Sequence, residues 1–141
     1  MVARDHRGEV LYIWGPGLHS CSPSQAKATS IFWVVQLAIQ EHWKTVIVEG
    51  DTQVCFNALS SQDHLLDWNI CTIINNICSL VSSFVSCKFH WIRRNCNSAT
   101  HSAAKLALNS YQQFCFNKSN LPPSLLSVCM EDSSLCSFVS V

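Results

Sequence analysis

Charge is scarce in this chain. Of 141 residues only 13% are charged, nine acidic against nine basic, and the formal net charge is zero. With 48% hydrophobic residues, the composition excludes a disordered chain and supplies enough apolar material for a core. The even balance of sign removes the basic excess that tight, non-specific nucleic-acid binders carry. Met1-Val2-Ala3-Arg4-Asp5 has no apolar signal region, which argues against export. No apolar run reaches the ~18 clean residues of a membrane span. The richest stretch, residues 65–84, is broken by Asp67, Asn69, Asn75 and Asn76. No internal repeat and no small-molecule cofactor motif is evident. No Cys-x-x-Cys pair occurs, and the cysteine count is odd at nine, so a reducing compartment is expected.

The length is that of one domain. Most of the cysteines are expected to be small buried hydrophobes, with Cys71 and Cys78, seven apart in a helical pattern, both facing the core. His90, Cys96 and His101 can be drawn together as zinc ligands, but their spacing matches no common ligand pattern. The plainer reading gives one strand, one loop and one helix residue.

Along the chain, Val2-Ala3 and residues 10–14 read as two strands of a hairpin, joined by a turn at Asp5 to Gly8. Ser22-Pro23-Ser24-Gln25 is a helix start. Ser22 can cap, Pro23 suits the first position and Gln25 completes a capping box. Helical spacing of Ala28, Ile31, Phe32, Val35 and Ala38 carries the helix to about Trp43. Residues 45–49 form an apolar strand of the buried parallel kind, ending in Gly50-Asp51. A short helix is expected over 52–59 and a longer one over 66–84, where Ile70, Ile73, Ile74, Ile77, Val81 and Phe84 recur at near-helical intervals. Residues 87–92 form the next strand and 97–114 a last helix, ended by Pro122-Pro123. The serine-rich tail has weak strand character. Trp33, Trp43, Trp68 and Trp91 fall within patterned elements and are expected in the core. Alternating strands and helices predict a layered α/β domain.

Four blocks in order carry a resemblance. Val48-Glu49-Gly50-Asp51-Thr52-Gln53 looks like the Glu-Gly-Asp-Ser-Gln element of plant ribonuclease H-like domains. Residues 2–11 resemble their first hairpin and residues 22–28 the start of their first helix. His90-Trp91-Ile92-Arg93-Arg94-Asn95-Cys96-Asn97, continuing through His101 to Lys105, resembles their last strand and helix. The blocks span residues 2 to about 114. The resemblance implies a reverse-transcriptase-like, retroelement-derived domain over 1–114 with a poorly defined tail over 115–141. It implies a three-layer α/β fold on a five-stranded mixed sheet with helices on both faces. It also implies cleavage of the RNA strand of an RNA–DNA hybrid. That chemistry uses clustered carboxylates and two Mg²⁺ ions roughly 4 Å apart, which activate the attacking water and stabilise the leaving oxygen.

Carried over residue by residue, the family's catalytic set is depleted. Its first carboxylate lies on a central first strand that this chain, starting at what looks like the second, lacks. The helix glutamate is replaced by Lys27, the third carboxylate survives as Asp51, and the fourth position holds His101. An ammonium at a metal position repels Mg²⁺ by several kcal/mol at an effective dielectric of about 20. Two readings of Lys27 stand: it pairs with Asp51 across the vacated metal site, or it points to solvent. Asp51 is a former metal ligand, and an Asp between strand and helix is also a common N-cap. His101 is either a ligand for a softer metal or an imidazole at a helix surface. The resemblance places nucleic-acid contacts at Ser24, Thr52 and Gln53. Arg93 and Arg94 are phosphate contacts or a solvated strand end.

A truncated ribonuclease H-like domain is therefore expected, with binding of RNA–DNA hybrid or RNA retained and hydrolysis lost. The other readings are an active Mg²⁺-dependent ribonuclease completed by an upstream segment, and a retroelement remnant without function. Reverse-transcriptase ancestry points to nucleus or cytoplasm. Without the central strand, two sheet edges are left to close on each other, to accept another chain, or to destabilise the fold.

Overall fold

The computed structural model describes residues 1–15, 21–61, 68–110 and 114–135. The expectations for Pro16-Gly17, Leu66-Asp67, Tyr111, Cys136 and the last residues of the tail lie outside them. The chain divides into two compact units, Met1–His19 with Arg93–Val141, and Ser20–Ile92.

In the first unit, β1 (Val2–Arg4) and β2 (Val10–Gly15) form the expected antiparallel hairpin. The Asp5 carboxylate accepts the amides of Arg7 and Glu9, both at 2.9 Å, and Gly8 takes φ 78°, which glycine adopts without a Cβ penalty. After the short 3₁₀ turn Arg94–Cys96 comes α4 (Ser98–Ser110), then β5 (Phe114–Asn117) and α5 (Pro123–Leu135). β5 pairs antiparallel with β2, setting Ile13 beside Phe116 and Gly15 beside Phe114. Ile13, Ala99, Ala103, Leu125 and Cys129 form the buried core, with Phe114 and Phe116 packed against it.

Two expectations change here. The last helix ends at Ser110, and residues 114–117 are a strand. Pro123 opens a helix at its first positions, where its missing N–H costs nothing.

In the second unit, α1 (Pro23–Gln40) begins with the capping box read from the sequence. Gln25 N donates to Ser22 Oγ at 3.2 Å and Ser22 N donates to Gln25 Oε1 at 3.1 Å. Ala28, Ile31, Val35 and Ala38 are its buried stripe. The helix stops short of Trp43 because His42 turns left-handed, at φ 58°. There His42 N donates to Ile39 O and Trp43 N to Ala38 O, both at 3.0 Å. This is the paired closure usually made on a glycine.

β3 (Thr45–Gly50) and β4 (Ser86–Trp91) pair in parallel, from Thr45 beside Ser86 to Gly50 beside Trp91. Between them lie α2 (Gln53–Ser61) and α3 (Trp68–Val81). α3 packs on α1 and buries Ile70, Ile74 and Ile77. Cys71 is half-buried and Cys78 exposed, so neither cysteine shares that stripe. Among the eight described cysteines only Cys55 and Cys129 are buried, which overturns the expectation for most of them. Trp68 and Trp91 also leave the expected core, at 81% and 45% exposure.

The mixed strand pairing expected of the fold is present, antiparallel in one sheet and parallel in the other. Among the described residues the strands form one sheet ordered β1-β2-β5 and another of β3 and β4. The fifth strand comes from the tail and adds to β2, and no described strand joins β1 to β3.

Candidate functional site

Asp51 stands just past the carboxyl end of β3. Phe56 N donates to Thr52 O at 3.1 Å, the first turn of α2, so Thr52 takes the cap position next to Asp51. Lys27 lies in the second turn of α1, one turn beyond the exposed Ser24. Its Nζ is 3.5 Å from Asp51 Oδ1, with the lysine side chain 45% exposed and the aspartate 11%. Of the two readings of Lys27, the geometry shows the pairing. The aspartate side chain is largely withdrawn from water, while the lysine side chain keeps much of its surface in it.

Trp91 completes this strand end, and the sequence reading missed it. Its Nε1 donates to Asp51 O at 3.4 Å, and Ile92 N donates to Gly50 O at 3.0 Å. The signal was available in the parallel pattern, because strands of equal length ending at Gly50 and Trp91 bring those two residues level. Gly50 is required for another reason. A Cβ there would lie 2.7 Å from the Phe56 ring, which is itself buried.

Thr52 is half-buried and Gln53 exposed beside the pair. Arg93, Arg94 and His101 belong to the other unit. Both arginines are exposed at the 3₁₀ turn. His101 lies in the first turn of α4, its N donating to Asn97 O at 3.1 Å. The residue is half-buried, and its Nε2 is shielded from solvent.

Mg²⁺ takes near-octahedral oxygen ligation. At Asp51 one carboxylate is offered, and an ammonium already faces it at 3.5 Å. The residues present do not fit the ion. Among the described residues no group of three or more His, Cys, Asp or Glu could hold a metal, and that includes His90, Cys96 and His101.

Burial sets the other titrations nearby. It pushes the Cys55 thiol up, against the pull of the Lys27 charge, and pushes Cys87 up to about 11. Both therefore stay protonated and poorly nucleophilic at neutral pH. Burial also raises the Glu49 carboxyl above its ordinary value, opposed by the charge of His90, its neighbour across the β3–β4 pair. A carboxyl raised in the folded state binds protons more tightly there than in the unfolded chain. Its ionisation therefore removes stability as pH rises from the ordinary glutamate range through the raised value. Glu49→Gln is expected to raise the melting temperature at pH 7 and to leave it unchanged near pH 3.5. Equal shifts at both pH values would show that the buried charge is not the cause.

The fold and this site define a mixed α/β domain of the ribonuclease H-like fold in which a lysine faces a strand-end carboxylate. A crystal structure of RNase H1 from the halophilic archaeon Halobacterium salinarum NRC-1 matches with a TM-score of 0.62 at 16% sequence identity, over 66% of this chain and 70% of that one. The sequence matches the reverse transcriptase-like family over residues 1–107, and the chain belongs to that family. Among curated proteins none matches the sequence. No helix of the described residues is long and apolar enough to cross a membrane.

Proposed function

We propose that this domain binds nucleic acid and has lost hydrolysis. The observation that carries the proposal is the 3.5 Å approach of Lys27 Nζ to Asp51 Oδ1. Two-metal cleavage needs several negative side chains around the ions, and here a positive one stands against the carboxylate. Binding is supported by the exposed Ser24 and Gln53 and by Thr52, on the same unit as the pair, and by the exposed Arg93 and Arg94 of the other unit, whose guanidinium groups suit phosphate oxygens. The partners are RNA–DNA hybrid or RNA.

A chain of zero net charge is expected to bind weakly, with Kd roughly 10⁻⁴–10⁻⁶ M at physiological salt. A plant-type, retroelement-derived origin belongs to the same proposal and rests on the four sequence blocks. Reverse-transcriptase ancestry, within the same proposal, supports nucleus or cytoplasm as the compartment.

The test is cleavage of a labelled RNA–DNA hybrid with Mg²⁺ or Mn²⁺ by protein shown to be folded, beside Asp51→Asn. The expected result is no cleavage by either protein. Cleavage that disappears in Asp51→Asn would mean that Asp51 anchors a working metal site, and the proposal would fall.

A further inference from the structure

Two side chains from different elements converge on Asp51. The Lys27 ammonium approaches its carboxylate, and the Trp91 indole N–H reaches its carbonyl oxygen. The indole is tethered by its nitrogen edge, and 45% of the residue is exposed. An ammonium has three donors. The Asp51 side chain is only 11% exposed and that of Lys27 45%, so the lysine side chain stays accessible, and one carboxylate contact does not use all its donors. The place is the carboxyl end of two parallel strands, where open α/β sheets commonly receive ligands.

A partly open aromatic ring beside a cation with spare donors suits a nucleotide. The base can stack on the indole, and the phosphate can meet the ammonium. The base must be unpaired, because a base inside a duplex already has both faces stacked. We infer that Trp91 and Lys27 form a subsite for one unpaired nucleotide of single-stranded nucleic acid, the base on Trp91 and its phosphate at Lys27. The inference rests on the nucleic-acid-binding reading above and narrows the ligand to single strands. Because Lys27 and Asp51 neutralise each other, stacking contributes more than charge. The subsite adds one phosphate contact, steepening the salt slope by about 0.7 at most.

The experiment is fluorescence anisotropy of the full chain with a labelled oligo(U) or oligo(dT), alongside an RNA–DNA hybrid of the same length. Trp91→Leu is expected to weaken single-strand binding about tenfold, within the range for loss of one stacked base. Trp91→Phe should keep most of the affinity. Lys27→Gln should weaken binding roughly threefold and flatten the salt dependence. If Trp91→Leu does not fold, the comparison moves to tryptophan emission, where oligo(U) should quench the wild type more than Trp91→Phe. Unchanged single-strand affinity in folded Trp91→Leu, or equal quenching in the second comparison, overturns the subsite. Wild-type binding to hybrid without binding to single strands also overturns it and leaves the broader reading standing. Binding to neither takes down both.

Discussion

Lys27→Glu is expected to lower stability by about 2 kcal/mol in the presence of a chelator, and to make stability rise with added Mn²⁺ or Mg²⁺, to which the wild type is indifferent. Removing one partner of a fully buried pair costs about 3–5 kcal/mol. Here the carboxylate is 11% exposed but the lysine side chain 45%, so solvent screening reduces the loss. The substitution then adds carboxylate–carboxylate repulsion, which a hard dication can turn into coordination. An ion at ten times its Kd returns about 1.4 kcal/mol. Lys27→Gln is the control, since it breaks the pair without supplying a ligand. Thermal melts in chelator and in millimolar Mn²⁺ decide the matter. If Lys27→Glu responds to the cation no more than Lys27→Gln, residue 27 does not face a potential metal position.

Gly50→Ala is the second large effect, at about 1–3 kcal/mol of destabilisation, typical of overpacking. The added Cβ would meet Phe56 Cε2 at 2.7 Å and Cζ at 2.9 Å. The Phe56 ring is only 2% exposed and has little room to yield. Phe56→Leu removes the ring atoms in question and should recover part of the loss. The double variant is expected to be at least about 0.5 kcal/mol more stable than the two single effects added together. Strict additivity in urea unfolding would mean that the glycine is needed for its backbone rather than for the approach of the ring.

Where structure depends on neighbours in sequence, the chain could be read directly. The Asp5–Gly8 turn, the Ser22–Gln25 capping box and the apolar strand ending at Gly50 all came from local chemistry, and all are present. The facing of Lys27 and Asp51 was one of two readings that the resemblance left open, and only the fold brings the two side chains to 3.5 Å. Periodicity failed where several faces of one element are apolar. In α3 the stripe Ile70, Ile74, Ile77 is chosen by packing on α1, and Cys78 is turned outward by that choice.

The closure at His42 was hidden because an αL histidine leaves no mark in composition. β5 was hidden because four residues are too few to show alternation, and because a double proline can end one helix or begin another. Trp91 was assigned to the core because it falls within a patterned strand. Its exposure follows from its place at the last rung of a parallel pair, where the sheet stops.

The Lys27–Asp51 contact also has a consequence over evolutionary time. Once a mostly withdrawn carboxylate has a lysine for its counter-charge, each single step away from the pair meets an obstacle. Placing an acid at position 27 exposes Asp51 to a like charge before any ion is held, and losing Asp51 first leaves the ammonium facing a site without its partner. Under the reading proposed above, in which Lys27 stands where a ligand was lost, the pair is a local optimum. Mutational drift around it is then channelled away from a carboxylate cluster, since a return requires several changes together.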